Sequence, residues 1–346
     1  MTTPRKAVAL ISGGLDSLLA ARLMLDQGIH VEGINFYTGF CVEGHTHAIR
    51  KKDKSKPKRN NALWSAEQLG IKLHIIDIIE EYKQVVINPK HGYGSNLNPC
   101  LDCKIFMVGK AKQWMDEHGF DFIITGEVMG QRPMSQRKKM LPVVLEESKA
   151  DDRLLRPLCA KHLNPTLPER EGWVDREKLL SFHGRNRKPQ IALAKRLGFD
   201  DFASPSGGCC FLTDKNYSTK LADLWQAQKS RDYELDDIML LKVGRHLRPK
   251  PNYKLIISRE EGENRFLSGY RKTFSSIEPE SHEGPLALVD GTPDDADLEY
   301  AARIVARFSQ GRDADTVTLK VNHAGHEKII SVTPMPADDI PKEWYV

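Results

Sequence analysis

The apolar and polar positions of the first 130 residues alternate between short apolar runs and longer amphipathic stretches. We predict strands at 6–11, 30–37, 72–79 and 120–125. Helical patterns at 18–24, 60–69 and 106–117 separate them. Because strands that alternate with helices form parallel sheets covered on both faces, this region predicts a doubly wound α/β domain.

The pattern changes in the second half of the chain. Residues 154–214 are interrupted by five prolines around a predicted helix at 188–197. A helix at 221–229 is then followed by short β-like runs at 240–243, 253–257, 286–289 and 317–321. We predict an α/β domain at 1–215 and a smaller α+β domain at 216–346.

Composition is consistent with two soluble domains. The chain has 346 residues, of which 40% are hydrophobic and 28% are charged. No apolar run approaches the ~18 residues of a membrane helix, and the N-terminus lacks the layout of a signal peptide. We therefore expect a cytoplasmic protein that has no membrane partner.

A glycine loop stands where the first strand passes to the first helix. Residues 12–17 read SGGLDS. Glycines allow backbone N–H groups to approach an anion, and the helix N-terminus attracts negative charge. Asp16 suits such a site if Mg²⁺ lies between its carboxylate and the phosphates. The alternative is a glycine turn with a helix-capping serine.

This SGGLDS loop resembles the signature of the PP-loop ATP pyrophosphatases. The resemblance implies an adenine nucleotide alpha hydrolase-like fold that cleaves ATP to AMP and pyrophosphate while it adenylates a carbonyl oxygen. Residues 100–104 (CLDCK), 125–131 (TGEVMGQ) and 156–158 (RPL) resemble the nucleotide-binding region of tRNA 4-thiouridine synthases. The implied ATP-binding residues are Ser12, Gly13, Gly14, Asp16, Ser17, Lys104, Gly126, Gln131 and Gln136.

The resemblance covers roughly residues 5–215, and it includes one departure. This chain has one extra residue between Gln131 and Ser135. Neither the target uridine nor the sulfur donor, sulfide or a persulfide carrier protein, follows from the resemblance.

Four of the six cysteines form two groups, Cys100 with Cys103 and Cys209 with Cys210. They resemble the thiolates of tRNA thiolases that hold a [4Fe-4S] cluster with a Cys-x-x-Cys pair and one distant cysteine, and thiolates suit such a metal. With Asp16, these four cysteines are the candidate catalytic residues. A persulfide relay, as in 2-thiouridine synthases, a zinc site and inert cysteines are the alternatives. Cys41 and Cys159 have no partner at a telling spacing and are expected to be incidental or core residues.

The basic residues cluster, although the net charge is only +4. The segments 243–248, 254–257 and 260–264 resemble the RNA-binding module of NFACT proteins, and Tyr253 is a candidate for stacking a base. The alternative is a β-domain used only for packing. The expected RNA-binding residues are Arg137, Lys138, Lys139, Arg245, Arg248 and Lys250.

These resemblances together imply an enzyme that thiolates a uridine of tRNA, of the 4-thiouridine or 2-thiouridine type. ATP activates the uridine carbonyl oxygen, and sulfur then replaces that oxygen. The two other interpretations are a PP-loop ligase that delivers nitrogen, and an RNA-binding protein without catalysis. Ammonia chemistry gives the paired cysteines no role, and an intact SGGLDS loop argues against a non-catalytic protein.

Overall fold

The computed structural model describes residues 4–42, 59–203 and 210–346. These residues form two compact units, one of 4–42, 59–203 and 210–213 and the other of 214–346. None of the helices in these ranges combines the length and the apolar character that a membrane span requires.

The first unit contains a five-stranded parallel sheet in the order β3-β2-β1-β4-β5. Its strands are β1 Lys6–Leu10, β2 His30–Tyr37, β3 Leu73–Asp77, β4 Phe122–Ile124 and β5 Leu154–Leu155. Strand β1 pairs with both β2 and β4, so the strand order reverses there. In open parallel sheets, such a reversal opens a ligand-binding crevice at the carboxyl ends of the strands.

Helices cover both faces of this sheet. They are α1 Leu15–Leu25, α2 Asn61–Leu69, α3 Ile79–Ile87, α4 Cys100–Glu117, α5 Leu141–Glu147, α6 Leu167–Arg170 and α7 Lys188–Arg196. Successive side chains of β1 point to opposite faces. Ala7 and Ala9 pack in one apolar core with α1 and α7, whereas Val8 packs in a second core with α4. The predicted doubly wound sheet is confirmed.

The second unit is built on a six-stranded antiparallel sheet in the order β11-β10-β8-β9-β7-β6. Its strands are β6 Arg245–Lys250, β7 Tyr253–Ile257, β8 Ser275–Pro279, β9 Ala287–Gly291, β10 Val317–His323 and β11 His326–Val332. Its helices are α8 Lys215–Gln228, α9 Leu235–Leu240, α10 Glu261–Ser268 and α11 Asp295–Arg307. One face of α11 packs on the sheet through Leu298, Ala301 and Val305. The α+β class is confirmed.

One expectation for this unit is wrong, and strand β6 was not predicted. The predicted strand at 240–243 is the end of α9 and the turn that follows, because a four-residue apolar run does not distinguish a strand from a buried helix end. The basic segment 245–250, which lacks an apolar pattern, forms edge strand β6.

Candidate active site

The glycine loop (residues 12–17) connects β1 to α1 at the reversal of strand order. Gly13 has a φ of +76°, which favours glycine, and a Cβ there would lie 2.7 Å from the backbone nitrogen of Ala62 in α2. Gly14 is the N-cap of α1, and no side chain caps this helix. The first-turn N–H groups, which have no intrahelical acceptors, are therefore available to bind an anion.

The two serines of the glycine loop hold its shape. Ser17 Oγ donates to the carbonyl oxygen of Gly14 at 2.8 Å, and the backbone N–H of Ser12 donates to Ser17 Oγ at 3.3 Å. The two hydroxyl oxygens are 3.4 Å apart. These bonds fold the loop back on itself beside the helix N-terminus.

The segment after β4 lies directly against the glycine loop. A Cβ on Gly126 would lie 2.5 Å from the backbone nitrogen of Ser17, so only glycine permits this approach. Farther along the segment, Gln131 Nε2 donates to Asp16 Oδ2 at 2.7 Å. The structure thus brings four of the predicted ATP-binding residues together, Asp16, Ser17, Gly126 and Gln131.

Asp16 has a second partner that sequence reasoning missed. Arg187, the residue before α7, donates from Nη2 to Asp16 Oδ1 at 3.2 Å. Gln190, in the first turn of α7, donates from Nε2 to Gln131 Oε1 at 3.0 Å. Burial raises the pKa of the Asp16 carboxyl, although Gln131 and Arg187 oppose that shift. The only local sequence signal for the contacts of Arg187 and Gln190 is a pair of arginines, Arg185 and Arg187, before a predicted helix.

A buried ion pair lies one residue beyond Gly126. The carboxylate of Glu127 accepts from Arg156 Nε at 3.1 Å and from Thr125 Oγ1 at 2.9 Å, and both charged side chains are almost fully buried. Burial alone would raise the pKa of Glu127, but the charges of Arg156 and Lys104 outweigh it and hold the pKa below its ordinary value. The predicted ATP-binding residue Lys104 therefore lies within electrostatic reach of Glu127.

Gln136, another predicted ATP-binding residue, is buried and stabilises the 130–136 turn. Its side-chain oxygen accepts from the backbone N–H of Arg132 at 3.2 Å, and its carbonyl oxygen accepts from Gly130 N–H at 2.7 Å. This turn presents Ser135 to the cysteine region.

Cys100 and Cys103 both lie in the first turn of α4 and are partly exposed. Positions three apart lie on the same side of a helix, so the two thiols share one face. Cys100 Sγ is 3.4 Å from Ser135 Oγ. The Cys-x-x-Cys pair is therefore adjacent to the turn that leads back to the glycine loop.

The second cysteine group is only partly described, because Cys209 lies outside the described residues. Cys210 forms an antiparallel bridge with Cys41, just beyond β2. The side-chain amide of Asn96 donates to the carbonyl oxygen of Thr213 at 2.8 Å, which ties the loop before Cys100 to the chain after Cys210. Spacing gave no reason to place Cys41 here. Within the described ranges, no three His, Cys, Asp or Glu side chains gather as a metal site.

Cys159 is a core cysteine, as expected. Its side chain is fully buried, and Sγ donates to the carbonyl oxygen of Glu127 at 3.3 Å. Burial raises the pKa of this thiol to about 11, so it stays protonated at neutral pH.

The predicted RNA-binding residues lie in different environments. Arg137, Lys138 and Lys139 are exposed on the turn before α5. In β6, Arg248 forms a two-bond ion pair with Asp223 of α8, at 2.5 and 2.8 Å, and Lys250 pairs with Asp297 of α11 at 2.5 Å.

The other two candidates of the second unit also differ. The Arg245 guanidinium is over the ring of Phe308, 5.2 Å from its centroid. The expectation that Tyr253 stacks a base is wrong, because its side chain is fully buried within the sheet core.

Two family models match this chain. Residues 5–167 match the tRNA methyl transferase HUP domain, and residues 244–345 match the NFACT protein RNA binding domain. The tRNA-specific 2-thiouridylase MnmA of Petrotoga mobilis is 32% identical over 36% of this chain and 36% of its own length. The same-named protein of Stutzerimonas stutzeri is 26% identical over 71% of this chain and 62% of its own length.

The chain resembles the tRNA-thiolating PP-loop enzymes. It spans about a third to three fifths of the length of these two curated relatives. Among solved structures, the crystal structure of a 4-thiouridine synthetase–RNA complex with bound ATP is 21% identical, with a TM-score of 0.40, over 69% of this chain and 52% of that one. The second resemblance predicted from sequence, to the NFACT RNA-binding module, is also confirmed.

Proposed function

We propose that this protein is an ATP-dependent tRNA sulfurtransferase that replaces a uridine carbonyl oxygen with sulfur. The observation that carries the proposal is the convergence of Asp16, Gly126 and Gln131 at the glycine loop. Cys100 lies beside the 130–136 turn that follows Gln131, where its Sγ is 3.4 Å from Ser135 Oγ. The names of the curated relatives supply the substrate class. Residues 1–215 would perform the chemistry and residues 216–346 would bind RNA, in the cytoplasm where tRNA is found.

The pyrophosphate portion of ATP would bind to the N–H groups of Gly13, Gly14 and the first turn of α1. The hydroxyls of Ser12 and Ser17, together with Lys104, Gly126, Gln131 and Gln136, complete the proposed ATP site. Asp16 would hold Mg²⁺, whose chemistry there is to neutralise phosphate charge. Burial raises the pKa of the Asp16 carboxyl, so a cation beside it would offset the cost of burying its charge.

The uridine oxygen would attack the α-phosphorus of ATP, forming an O–P bond as pyrophosphate leaves. Sulfur would then attack the uridine carbon that carries this oxygen, and the oxygen would leave as part of AMP. Because the reacting atoms lie at a crevice, the target nucleotide must leave its stack to reach them. Arg187, which faces Asp16 in this structure, would stabilise the departing pyrophosphate.

Cys100 and Cys103 would carry the sulfur chemistry. Two thiols on one helical turn suit two ligands of a [4Fe-4S] cluster, with Cys209 or Cys210 as the third. Such a cluster would supply an open iron for sulfide. The Asn96–Thr213 bond supports this assignment, because it ties the two cysteine regions together although more than a hundred residues separate them.

The test supplies anaerobically reconstituted protein with ATP, total tRNA and either sulfide or ammonium. We expect AMP, pyrophosphate and thiolated tRNA with sulfide, and no modified nucleoside with ammonium. Nitrogen incorporation would instead establish an amidating ligase. Absence of pyrophosphate release with total tRNA would refute catalysis.

Cysteine variants test the sulfur route in the same assay. Cys100→Ala, Cys103→Ala and the double Cys209/Cys210→Ala variant should each lose iron and thiolation together, and the two single variants at 209 and 210 identify the third ligand. Cys159→Ala is the matched control, because that thiol is buried away from solvent. Full thiolation by Cys103→Ala, with colourless protein and a disulfide between the two regions, would establish a persulfide relay instead.

A further inference from the structure

The second unit contains a cavity that is lined by Arg245 of strand β6. Arg248 and Lys250 of the same strand are not among its lining residues. Its volume is about 950 Å³, within the range of small-molecule and nucleotide sites. All of its lining residues fall between 245 and 345, inside the segment that matches an RNA-binding domain. The lining includes Arg245, Arg259, Asn264, Arg307, Arg312 and Tyr345.

The cations of this cavity differ in how they are neutralised. Arg259 is bound to the buried carboxylate of Glu263 at 2.6 Å, and Arg307 faces the exposed Asp313 at 3.6 Å. Within the described ranges, neither Arg245 nor Arg312 forms an ion pair. Their guanidinium groups are therefore the cations of this cavity that no carboxylate in those ranges holds.

The other basic residues of β6 contrast with Arg245. Arg248 and Lys250 are held by Asp223 and Asp297, so a phosphate would have to displace a carboxylate to bind either one. Arg245 is instead positioned by the ring of Phe308, which leaves the N–H groups at its edge available to donate. A polyanion should therefore bind at the cavity rather than along the whole strand.

An exposed aromatic ring completes the cavity. Tyr345 is 45% exposed, although it is pinned by its backbone. It pairs with Leu247 in an antiparallel bridge, and the neighbouring Val346 N–H donates to the carbonyl oxygen of His246 at 3.2 Å. The C-terminal residues thus bind the edge strand and hold the Tyr345 side chain at the cavity, where a base can stack on its ring.

The carboxylates of the lining favour a nucleotide over a bare polyphosphate. Glu260, Glu261 and Glu283 also line the cavity. They repel extra phosphate charge but accept hydrogen bonds from the amino groups of bases. This mixture suits unpaired RNA, whose base edges and phosphates are both accessible, better than a duplex.

We propose that this cavity binds one or two unpaired nucleotides of RNA, with phosphate on Arg245 and Arg312 and a base on Tyr345. The proposal rests on the proposed function of the second unit. An acidic peptide and a free nucleotide are the competing occupants.

The test measures binding of the full chain to a fluorescent single-stranded RNA octamer over a range of salt concentrations. Arg245→Ala and Arg312→Ala should each weaken binding at least fivefold and lower the salt slope by about 0.7. Tyr345→Leu should weaken binding about tenfold without changing the slope, and Tyr345→Phe should restore it. Arg271→Ala, which removes an equal charge outside the cavity, is the matched control and should bind like the parent.

Three outcomes would overturn the proposal. Parental binding by the Arg245, Arg312 and Tyr345→Leu variants would place the RNA elsewhere while leaving an RNA-binding role for the protein intact. Competition by polyglutamate or by excess AMP equal to that by unlabelled octamer would assign the cavity to an acidic peptide or to a free nucleotide. Failure of the parent protein to bind either the octamer or total tRNA would refute the proposed function as well.

Discussion

The glycine loop and strand β6 each contain several candidate binding residues close together in the sequence. Different features of the structure determine whether those residues can bind a ligand. At the glycine loop, backbone conformation determines the binding site: Gly13 adopts a positive φ, Gly14 is the N-cap of the helix without a capping side chain, and Gly126 lets the segment after β4 approach the loop. In β6, the carboxylates that pair with each basic side chain determine whether it is available to bind a ligand. Arg245 lies at a cavity, whereas Arg248 is held by an aspartate.

This difference explains why one site is visible in the sequence and the other is not. A turn that requires glycine is encoded locally, so its motif can be recognised wherever it occurs. The availability of a cation depends on carboxylates from distant helices, here Asp223 of α8 and Asp297 of α11. A cluster of basic residues therefore identifies candidates for binding, and the tertiary structure selects among them.

The largest effect is expected from Asp16→Ala. This change removes the carboxylate of the glycine loop, and we expect ATP cleavage to fall at least about 10³-fold. RNA binding should change by less than about twofold, since Arg245 and Arg312 of the cavity are untouched. Pyrophosphate release and RNA affinity of the same preparation provide the check. Pyrophosphate release near the parental rate would show that the loop does not bind ATP as proposed.

A smaller loss should follow from Gly126→Ala. The added Cβ would lie 2.5 Å from the backbone of Ser17, so the glycine loop must shift. We expect pyrophosphate release to fall about 100-fold, because a displacement of about 1 Å costs that much in a positioned site. Gly109→Ala is the control: Gly109 lies within α4, and its Cβ would make only ordinary contacts, the nearest at 3.5 Å. Equal activities of the two variants would refute the close approach.

Arg248→Ala should affect stability rather than RNA binding. It leaves the carboxylate of Asp223 without its bidentate partner, and we expect a loss of about 1–3 kcal/mol in the free energy of unfolding. The salt slope of RNA binding should stay parental. Denaturant titration and the octamer assay give the two measurements, with Asp223→Asn as the reciprocal variant. A fall in the salt slope would mean that Arg248 leaves its ion pair to bind phosphate.

The smallest effect is a gain in stability from Asp16→Asn. Because the folded pKa of Asp16 lies above its ordinary value of 3.8, the folded protein binds more protons than the unfolded chain between those two values. Stability is therefore lost as the pH rises through the folded pKa. The uncharged variant should melt at a slightly higher temperature than the parent at pH 7, and this difference should disappear below about pH 3.8. A lower melting temperature at pH 7 would contradict the inferred cost of charging Asp16.

Much of the first unit could be predicted from sequence because its apolar runs and glycine loop are local signals. Strand β2 has the predicted bounds, and helix α7 differs by one residue. Helix α3 was missed because its apolar residues continue those of β3, and β6 was missed because a basic edge strand lacks an apolar pattern. The Asp16–Arg187 contact joins residues 171 positions apart, so no local pattern could reveal it.

The central claim is that this protein puts sulfur into tRNA. Mass spectrometry of tRNA nucleosides from cells with and without the gene tests it most directly. Loss of a thiolated uridine on deletion, restored by the parental gene but not by Asp16→Ala or Cys100→Ala, is the predicted result. An unchanged set of thiolated nucleosides, or restoration by either variant, would contradict the account.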